Sequence, residues 1–395
     1  MNTPSAHPYI GDVFFCIINA EVKSMKIMHI ADLHIGRTIN QFSLLSDQQM
    51  ILSQLIERID EEGIDVLVIA GDIYDRSIPS KEAMQVYESF LLAVNVDRKI
   101  PVLAVSGNHD GAERLGHARN YFKQFHYYLS TTIEDSLTPV IIDDIHFYLV
   151  PYIDPAYARQ YFSDESIRSH QDTYQKIIMN IENNMDKNKK NILISHLFVA
   201  GGTVTESERE LIIGTVEHVN KSLFDGFDYT MLGHLHTPDA IKDEKVYYSG
   251  SIMRYSFSEI GQRKGYRIFD LNENEVLFKP LKYERDLEVA QGTYNEAMQL
   301  QLVCNPNAYL RLELSEMEAV NEPMAKLKLI YPNLLELKPI LKEKCSNTMS
   351  KDVTSLNTMD LIATFYQEMT DETLDDQQID TLNTLLRAGG ETDET

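Results

Sequence analysis

The segment DVLVIAGDIYD, residues 65–75, contains an uninterrupted apolar run and ends in a glycine and two aspartates. A short apolar run bounded by such residues is typical of a strand that is buried on both faces, as strands are in parallel sheets. The two aspartates, Asp72 and Asp75, then fall at the carboxyl end of the strand, where open α/β sheets form their sites. The segment therefore predicts a buried strand that delivers carboxylates to a functional edge.

Four other segments share this design of an apolar run that ends in aspartate, asparagine or histidine. They are MKIMHIADLH (residues 25–34), IPVLAVSGNHD (100–110), NILISH (191–196) and YTMLGHLH (229–236). Helical patterns lie between them, such as residues 46–63, for which Ser46 is the expected N-cap and Gly63 the stop, and residues 80–94, capped by Ser80. The alternation predicts an α/β sheet with crossover helices that finishes in antiparallel strands.

The strand ends supply seven candidate metal ligands. They are Asp32, His34, Asp72, Asn108, His196, His234 and His236. In an extended chain, residues two apart point to the same side, so we expect Asp32 with His34, and His234 with His236, to share one pocket. The adjacent glycines, Gly36, Gly71, Gly107 and Gly233, are expected to let the backbone pass close to a bound group.

This ligand set is made of oxygen and imidazole without thiolate, which favours manganese, magnesium, iron or zinc. Seven ligands are too many for one tetrahedral ion, but they fit two ions about 3.5–4 Å apart that share a carboxylate. A lone histidine at a strand end is ordinarily a hydrogen-bonded filler, and Asp110 can simply cap its turn. The filler interpretation is kept for His7, His29, His117, His126, His146, His170 and His218.

Composition limits the class of protein. The chain has 395 residues, 43% of them hydrophobic, and a formal net charge of −24. Such acidity argues against a free-standing nucleic-acid binder, although divalent cations and a basic partner can reverse the local sign. The three cysteines are scattered, and no apolar run is long enough to cross a bilayer, so we expect a cytoplasmic protein without membrane attachment.

The composition and the apolar periodicity of the sequence change along the chain, and these changes predict several segments. We expect residues 1–24 to be a non-native or disordered extension before a natural start at Met25. Residues 25–280 form the main domain, 281–345 a small α+β domain, and 346–357 a polar linker. Residues 358–387 carry two amphipathic helices, and 388–395 form an acidic tail.

At its motifs the chain resembles the calcineurin-like metallophosphoesterases. The ordered set DLH, GDIYD, GNHD, SH and GHLH carries this resemblance over residues 25–278. Within that group the chain resembles the SbcD family of nuclease subunits, because the segment YYSGSIMRYSFSEIGQRKGY, residues 247–266, follows the last histidines and precedes a capping domain and C-terminal helices. The resemblance implies a four-layer α/β/β/α sandwich.

The resemblance also implies a role for each candidate. Asp32, His34, Asp72 and His236 would hold one ion, and Asp72, Asn108, His196 and His234 the other, with Asp72 bridging. His109 would protonate the leaving oxygen or stabilise the phosphorane. Asp75 would be the acid that orients His109. Two divalent ions, expected to be Mn²⁺, are therefore the implied cofactors.

The implied activity is Mn²⁺-dependent hydrolysis of DNA ends and hairpins, as a double-strand exonuclease and single-strand endonuclease in repair, recombination and replication. The implied partners are DNA and an SbcC-like ATPase with a coiled coil. The resemblance also implies that this chain forms a homodimer within a heterotetramer. Because the sequence has no GxxxxGK[ST] loop, we expect ATP hydrolysis in the partner. The faces expected to dock on the coiled coil contain Leu361, Ile362, Phe365, Tyr366, Ile379, Leu382 and Leu385.

Several alternatives stay open at this level. The metal motifs suit a phosphodiesterase or phosphatase for small nucleotides or phosphoproteins equally well, and a subunit that only bridges DNA ends is a third possibility. The C-terminal helices can fold back on their own domain. Residues 80–94 can form a dimer surface or pack on the sheet. Five loop arginines are candidate phosphate contacts: Arg37, Arg76, Arg114, Arg254 and Arg263.

Overall fold

A computed structural model describes residues 25–202, 218–317, 320–340, 358–370 and 373–389 of the chain. The chain divides into two compact units, Met1–Ile340 and Leu341–Thr395. The expectations for the extension 1–24, for the linker 346–357 and for residues 390–395 of the tail lie outside the described residues.

The strands in the described residues are numbered along the chain. They are β1 (Lys26–Ile30), β2 (Thr38–Ile39), β3 (Phe42–Ser43), β4 (Val66–Ala70), β5 (Val102–Val105), β6 (Tyr127–Ser130), β7 (Val140–Ile142), β8 (Ile145–Val150), β9 (Lys190–His196), β10 (Tyr229–Gly233), β11 (Val246–Tyr248), β12 (Gly265–Asp270), β13 (Glu275–Pro280), β14 (Leu287–Thr293), β15 (Tyr309–Ser315) and β16 (Leu334–Pro339).

The α-helices are numbered in the same way. They are α1 (Leu45–Glu62), α2 (Lys81–Leu91), α3 (Ala112–Leu115), α4 (Arg119–Phe122), α5 (Ile133–Ser136), α6 (Pro155–Phe162), α7 (His170–Asn184), α8 (Tyr294–Met298), α9 (Pro323–Lys328), α10 (Thr358–Thr370) and α11 (Asp376–Gly389). A π-helical turn, Leu92–Asp97, continues α2.

Two large sheets build the first unit. One has six strands in the order β13-β12-β1-β4-β5-β6, and the other has five in the order β11-β10-β9-β8-β7. Strands β1, β4, β5 and β6 run parallel, while β12 and β13 are antiparallel, as the sequence predicts for the last strands of the domain. In the second sheet β8 to β11 run parallel, and β7 joins β8 in a tight hairpin that turns at Asp143 and Asp144.

Three apolar layers show how the sheets and helices stack. One core lies between the sheets and includes Val68 and Ile194. The opposite face of the first sheet packs on α1 and α2 through residues such as Leu55 and Phe90. The second sheet packs on α7 through residues such as Ile177. The result is the four-layer α/β/β/α sandwich that the family resemblance implies, and it leaves the carboxyl ends of strands from both sheets on one side.

A smaller sheet completes the first unit. Its strands β14, β15 and β16 all run parallel and are joined by α8 and α9, with a core around Leu312 and Tyr331. In the sequence, AYLRLELSE and LLELKPI have the pattern of strands and EPMAKLKLIYP that of a helix, which predicts β15, β16 and α9, whereas β14 is not predicted. The second unit contains α10 and α11, of whose described side chains none is buried. Within the described residues, no helix is long and apolar enough to cross a membrane.

Helix boundaries follow the predicted signals in part. Ser80 caps α2 by accepting from the Ala83 amide at 3.1 Å, as predicted. Gly63 ends α1 in a left-handed conformation, also as predicted. Ser46 is not the N-cap of α1, because the helix begins one residue earlier, at Leu45, after an N-cap at Leu44. The side chain of Ser46 instead accepts from Arg285 Nη2 at 3.2 Å.

Candidate metal centre

The seven predicted ligands all lie where β1, β4, β5, β9 and β10 end. Six of them, all except the half-buried Asn108, are at most 4% exposed. The described residues contain three groups able to hold an ion, and these join Asp32, His34 and His236; His34, Asp72 and His109; and Asp32, Asp72 and His196. Five of the seven predicted ligands, together with His109, fall in these groups, and no described histidine that was kept as a filler belongs to them.

The backbone at the site differs from the extended chain that the sequence suggests. Strand β1 stops at Ile30, and Asp32 and His34 follow with φ of +51° and +42°. Asp72 has φ of +50° and His234 of +97°. Left-handed backbone is uncommon for residues other than glycine and clusters at functional sites. Asp32 and His34 do lie in one group. They converge through left-handed turns, so only the extended backbone that was assumed for them was wrong.

One cluster forms around His34. Its Nε2 lies 3.2 Å from His236 Nε2 and 3.6 Å from Asp72 Oδ2. Asp32 joins the same group and accepts the His234 amide at 2.9 Å through Oδ1. These are the four residues implied for the first ion.

A second cluster forms around Asn108. Its Oδ1 lies 3.0 Å from His196 Nε2 and 3.1 Å from His234 Nδ1. His196 Nε2 is also 3.4 Å from Asp72 Oδ2. The Asp72 carboxylate therefore lies beside an imidazole of each cluster, which is the position that a bridging ligand needs. Asp32 is farther from the second cluster, with its Oδ1 3.9 Å from His196 Nδ1.

Glycines allow this crowding, although their neighbours are the ligand side chains themselves. A Cβ on Gly107 would lie 2.1 Å from Asp72 Oδ1, and a Cβ on Gly71 would lie 2.2 Å from His196 Nδ1. Only glycine can let these backbones approach so closely. Gly107 and Gly71 are thus needed to make room for the side chains of Asp72 and His196. The expected close approach of the backbone to a bound group is not required to explain them.

His109 lies at the edge of the cluster and is only half-buried. Its ring meets that of His34 edge-to-face with 4.8 Å between centroids. Its Nδ1 lies 3.0 Å from the main-chain carbonyl of Asp75, which can accept the Nδ1 proton. The Asp75 carboxylate instead accepts from Arg37 Nη1 at 2.8 Å. Asp75 is therefore placed to orient His109 through its backbone, and not through its acid as the resemblance suggests.

Burial and mutual contact set the electrostatics of the metal-free cluster. Burial lowers the pKa of His234 to about 3, with neighbouring His196 adding to the effect. Burial also raises the pKa of Asp32 to about 6. Burial opposes protonation of His196, but Asp72, Asp32 and the Ala70 carbonyl together outweigh it and raise the pKa of His196 to about 9. Asp72 and His196 thus stabilise each other in their charged forms, whereas burial favours the neutral forms of Asp32 and His234.

These residues fit divalent ions. Asp32 Oδ2 is buried and has no hydrogen-bond partner in the part of the chain that the structure describes. Buried polar atoms ordinarily find partners, so unpaired ones call for an explanation such as a ligand. Facing imidazole nitrogens and a shared carboxylate also match the nitrogen and oxygen donors of zinc, manganese or iron sites.

Sequence analysis missed the residues that support the loops. Gln48, in α1, donates to the main-chain oxygens of Leu33 at 3.1 Å and His34 at 2.7 Å. Glu259 Oε1 lies 2.9 Å from His236 Nδ1. Asp110 accepts the amides of Ile73, Tyr74 and Gly107, so it joins the β4 and β5 loops and acts as the capping residue that sequence reasoning left open.

Most of the five candidate arginines are already paired. Arg37 binds Asp75, Arg254 binds Asp286, and Arg263 binds Asp239. Arg76 lies 3.7 Å from Asp75 Oδ2 but is 75% exposed, and Arg114 is exposed as well. Arg76 and Arg114 are therefore the two best placed to meet a substrate.

A four-layer α/β sandwich with histidines and carboxylates gathered at its strand ends defines a metallophosphoesterase. The family model for calcineurin-like phosphoesterases matches residues 25–238, and the model for the type 5 capsule protein repressor C-terminal domain, SbcD_C, matches residues 284–370. The chain is 40% identical over 366 residues to the SbcD subunit of nuclease SbcCD from Staphylococcus epidermidis, and the match covers 92% of this chain and 98% of that protein. The chain therefore belongs to the calcineurin-like phosphoesterases and, among them, to the SbcD family.

Two solved structures are similar over part of the chain. The protein TT1561 of Thermus thermophilus is 12% identical with a TM-score of 0.39, and the match covers 66% of this chain and 100% of that one. The phosphoesterase YfcE of E. coli is 14% identical with a TM-score of 0.28, and the match covers 64% of this chain and 97% of that one. At these scores neither likeness adds to the family assignment.

Proposed function

We propose that the chain is a metal-dependent nuclease that hydrolyses phosphodiester bonds of DNA at a dinuclear centre. Asp32, His34, Asp72 and His236 hold one ion, and Asp72, Asn108, His196 and His234 hold the other, both expected to be Mn²⁺. The observation that carries the proposal is the Asp72 carboxylate, which lies 3.6 Å from His34 and 3.4 Å from His196. The name of the Staphylococcus relative, a nuclease subunit, supports DNA as the substrate.

Two bound divalent ions supply a more acidic water and a clamp on the attacking and leaving oxygens of an in-line displacement. The chain fixes the ligands before substrate arrives, because Asp32 is held by the His234 amide and Asp72 by the His109 amide, each at 2.9 Å. Rigid ligands lower the reorganisation that the reaction needs.

His109 is the proposed proton donor to the leaving oxygen. Because Nδ1–H is turned to the Asp75 carbonyl at 3.0 Å, His109 would donate from Nε2 in its doubly protonated form, and the ring would return to the neutral form with its remaining proton on Nδ1. The ring is half-buried, so one edge is open to an incoming phosphodiester. General acid catalysis of this kind contributes roughly 10²- to 10⁴-fold to a rate.

The DNA backbone is expected to meet Arg76 and Arg114, which follow β4 and β5 and are both exposed. Phosphate contacts by a few well-placed arginines position a duplex without reading its sequence. They reconcile DNA binding with the net charge of −24. Exonuclease action on duplex ends and endonuclease action on single strands and hairpins, in DNA repair and recombination, are the finer form of this proposal.

The proposed partner is an SbcC-like ATPase, which would supply ATP hydrolysis and a coiled coil. Helices α10 and α11 are the proposed docking segment. Leu361 is 42% exposed, Phe365 63% and Leu385 63%. Amphipathic helices that leave such side chains in water are suited to a groove or a coiled coil of another chain.

A homodimer is proposed through α2 and the π-helical turn that follows it. Ala83, Tyr87 and Phe90 pack into the core, so one face of α2 belongs to the sheet. The other side presents Leu92, which is 50% exposed, and Val96, which is 53% exposed. The two sequence-based alternatives for residues 80–94 are thus compatible, because α2 packs one face on the sheet while the π-helical turn that follows it leaves apolar side chains exposed.

A small phosphodiester or phosphoprotein is the alternative substrate, because the metal centre itself selects only a phosphoryl group. The matching SbcD_C model over residues 284–370 and the exposed helices favour the nuclease. The decisive assay compares linear duplex DNA with bis-p-nitrophenyl phosphate in the presence of Mn²⁺, with and without an SbcC-like ATPase and ATP. Cleavage of the small ester alone under every condition would select the alternative.

The same assay tests His109. We expect His109→Ala to lower DNA cleavage by about 10²-fold or more because the proton donor is lost. Mn²⁺ uptake should persist, since the other seven residues supply the ligands. His126→Ala is the matched control, because His126 lies on the surface beside Tyr128. Unchanged DNA cleavage by the His109→Ala protein would remove His109 from the proposed catalytic role.

A further inference from the structure

A buried ion pair lies directly behind the proposed metal centre, in the loop between β11 and β12. Lys264 Nζ is 2.7 Å from Glu259 Oε2, and both side chains are 0% exposed. Removing two charges from water is costly, and a buried pair persists where further hydrogen bonds satisfy it. The partners of this pair therefore indicate what it holds in place.

Both members of the pair contact the same residue, His236. Glu259 Oε1 lies 2.9 Å from His236 Nδ1. Lys264 Nζ donates to the main-chain oxygen of His236 at 2.8 Å and to Ser251 Oγ at 2.8 Å. Glu259 Oε2 also accepts the Tyr255 amide at 3.1 Å. The imidazole and the backbone of His236 are thus held by one charged unit.

The contact at Nδ1 determines what Nε2 can do. A carboxylate accepts a proton and does not donate one when ionised, so His236 must carry its proton on Nδ1. The Lys264 ammonium, 2.7 Å from Oε2, stabilises the ionised form of the Glu259 carboxylate. Nε2 then offers a lone pair and faces His34 Nε2 at 3.2 Å, inside the first cluster.

The second cluster has a weaker support of the same kind. His196 Nδ1 lies 2.9 Å from the main-chain carbonyl of Ala70, a neutral acceptor. An anionic acceptor raises the basicity of a ligating imidazole, and loss of such a partner costs roughly 10- to 100-fold in metal affinity. The two proposed sites therefore differ in the acceptor at histidine Nδ1, which is an anionic carboxylate for His236 and a neutral carbonyl for His196.

We propose that Glu259 and Lys264 are positioning residues that make the His34–His236 site the tighter of the two metal sites. The inference rests on the proposed dinuclear centre and adds an order of filling to it. The first ion occupies the Asp32, His34, Asp72 and His236 site, and the second occupies the Asn108, His196 and His234 side of Asp72.

The test is a Mn²⁺ titration of the metal-free full chain. Calorimetry measures the binding, and electron paramagnetic resonance measures the free Mn²⁺. We expect two binding classes for the wild type. Glu259→Gln combined with Lys264→Met removes both charges together, so no buried ion is left unpaired. This variant should weaken the tighter class by about 10- to 100-fold and leave the weaker class unchanged.

The matched control is Asp135→Asn, which neutralises a half-buried carboxylate that pairs with Arg119 at 2.9 Å. It should leave both classes intact. Two equal classes in the wild type, or an unchanged tighter class in the double variant, would overturn the inference. Uptake of fewer than two ions by the wild type would instead count against the dinuclear centre itself.

A second measurement does not depend on a folded variant of Glu259 or Lys264. In metal-free protein with ¹⁵N-labelled histidine, nuclear magnetic resonance should show the His236 ring with its proton on Nδ1. The His236→Gln protein identifies the signal by its loss. A proton on Nε2 would mean that Glu259 does not set the tautomer, and the positioning role would be abandoned.

Discussion

Left-handed backbone at Asp32, His34, Asp72 and His234 explains how residues from separate strands reach one centre. The sequence identifies these residues because each follows an apolar run at the carboxyl end of a strand. It cannot give the turn conformations, since each is imposed by tertiary packing around the loops. The Asp32 amide, for example, donates to the Gly71 carbonyl at 3.1 Å.

The residues that support the metal ligands could not be identified from the sequence, for a different reason. Glu259 lies 23 positions after the histidine that it contacts, and Gln48 lies 14 after His34. No spacing rule connects a loop carboxylate or a helix amide to such a partner. Their roles follow only from the folded positions of α1 and of the loop before β12.

Gly107 offers a test of the crowding at Asp72. Gly107→Ala would place a Cβ 2.1 Å from Asp72 Oδ1 and 2.4 Å from the Asp72 amide nitrogen. The carboxylate must move, so we expect Mn²⁺ affinity to fall by at least about tenfold at both sites. The overpacking should cost about 1–3 kcal/mol in the free energy of unfolding. Calorimetry and urea unfolding measure the two effects.

Gly226→Ala is the control for this substitution. Its Cβ would meet the Oε1 atom of Glu182 at 2.3 Å, but that is the end of a flexible side chain at an exposed site. We expect the control to bind Mn²⁺ like the wild type. Equal metal affinity in Gly107→Ala would show that Asp72 does not need its observed position.

At the scale of elements, the small sheet is tied to α1 by a buried carboxylate. Asp47 is 3% exposed and accepts from Arg285 Nε at 2.9 Å and from the Tyr309 hydroxyl at 2.6 Å. Asp47→Ala leaves these donors unpaired. We expect a loss of about 3 kcal/mol in the free energy of unfolding, the lower end for a buried pair, because the Arg285 guanidinium is partly exposed.

Urea unfolding with Asp60→Ala as control measures this contribution. Asp60 also accepts from an arginine, Arg98, at 2.7 Å, but the pair lies in solvent, so its removal should hardly change stability. If the two variants unfold alike, Asp47 does not anchor the small sheet.

The helices α10 and α11 are an element whose role depends on a partner. We expect Phe365→Asp with Leu385→Asp to abolish co-purification with an SbcC-like ATPase, as removal of residues 351–395 should, because both apolar side chains are more than half exposed. Mn²⁺ uptake should remain. Thr381→Asp, at an exposed polar position of α11, is the control. Retained association with reduced stability would favour helices that pack on their own chain.

The elements themselves were largely predictable. Apolar runs with polar ends predict β1, β4, β5, β9 and β10. The segment VIIDDIHFYLVPY, with two aspartates between apolar runs, is typical of a tight hairpin and predicts β7 and β8. The missed strand β14 has a mixed pattern, with buried Leu287 and Ala290 among exposed or half-buried residues. Its pairing with β15 depends on contacts that local periodicity does not carry. The π-helical turn after α2 has no sequence signal of its own.

At the scale of the whole molecule, acidity and exposed apolar surface have to be considered together. A net charge of −24 opposes association of copies, so a dimer requires a surface with a strong apolar contribution. A groove of about 570 Å³ meets this need and is lined mainly by apolar residues of α2, the π-helical turn and the segment around α4. Leu92, Val96, Tyr121 and Phe125 are each at least 49% exposed there.

The dimer prediction follows from this surface. Leu92→Asp with Val96→Asp places two charges in the proposed interface, where burial without partners is costly, so we expect the dimer to dissociate into monomers. Size-exclusion chromatography with light scattering measures the mass, for which the chain alone gives 45.3 kDa. Leu329→Asp is the control, because Leu329 is 88% exposed but lies after α9, away from the groove. Mn²⁺ uptake should be equal in all three proteins, since the metal ligands lie at the strand ends and not on this face. A wild-type mass of one chain at micromolar concentration, or a dimer that survives both charges, would assign this groove to a different partner.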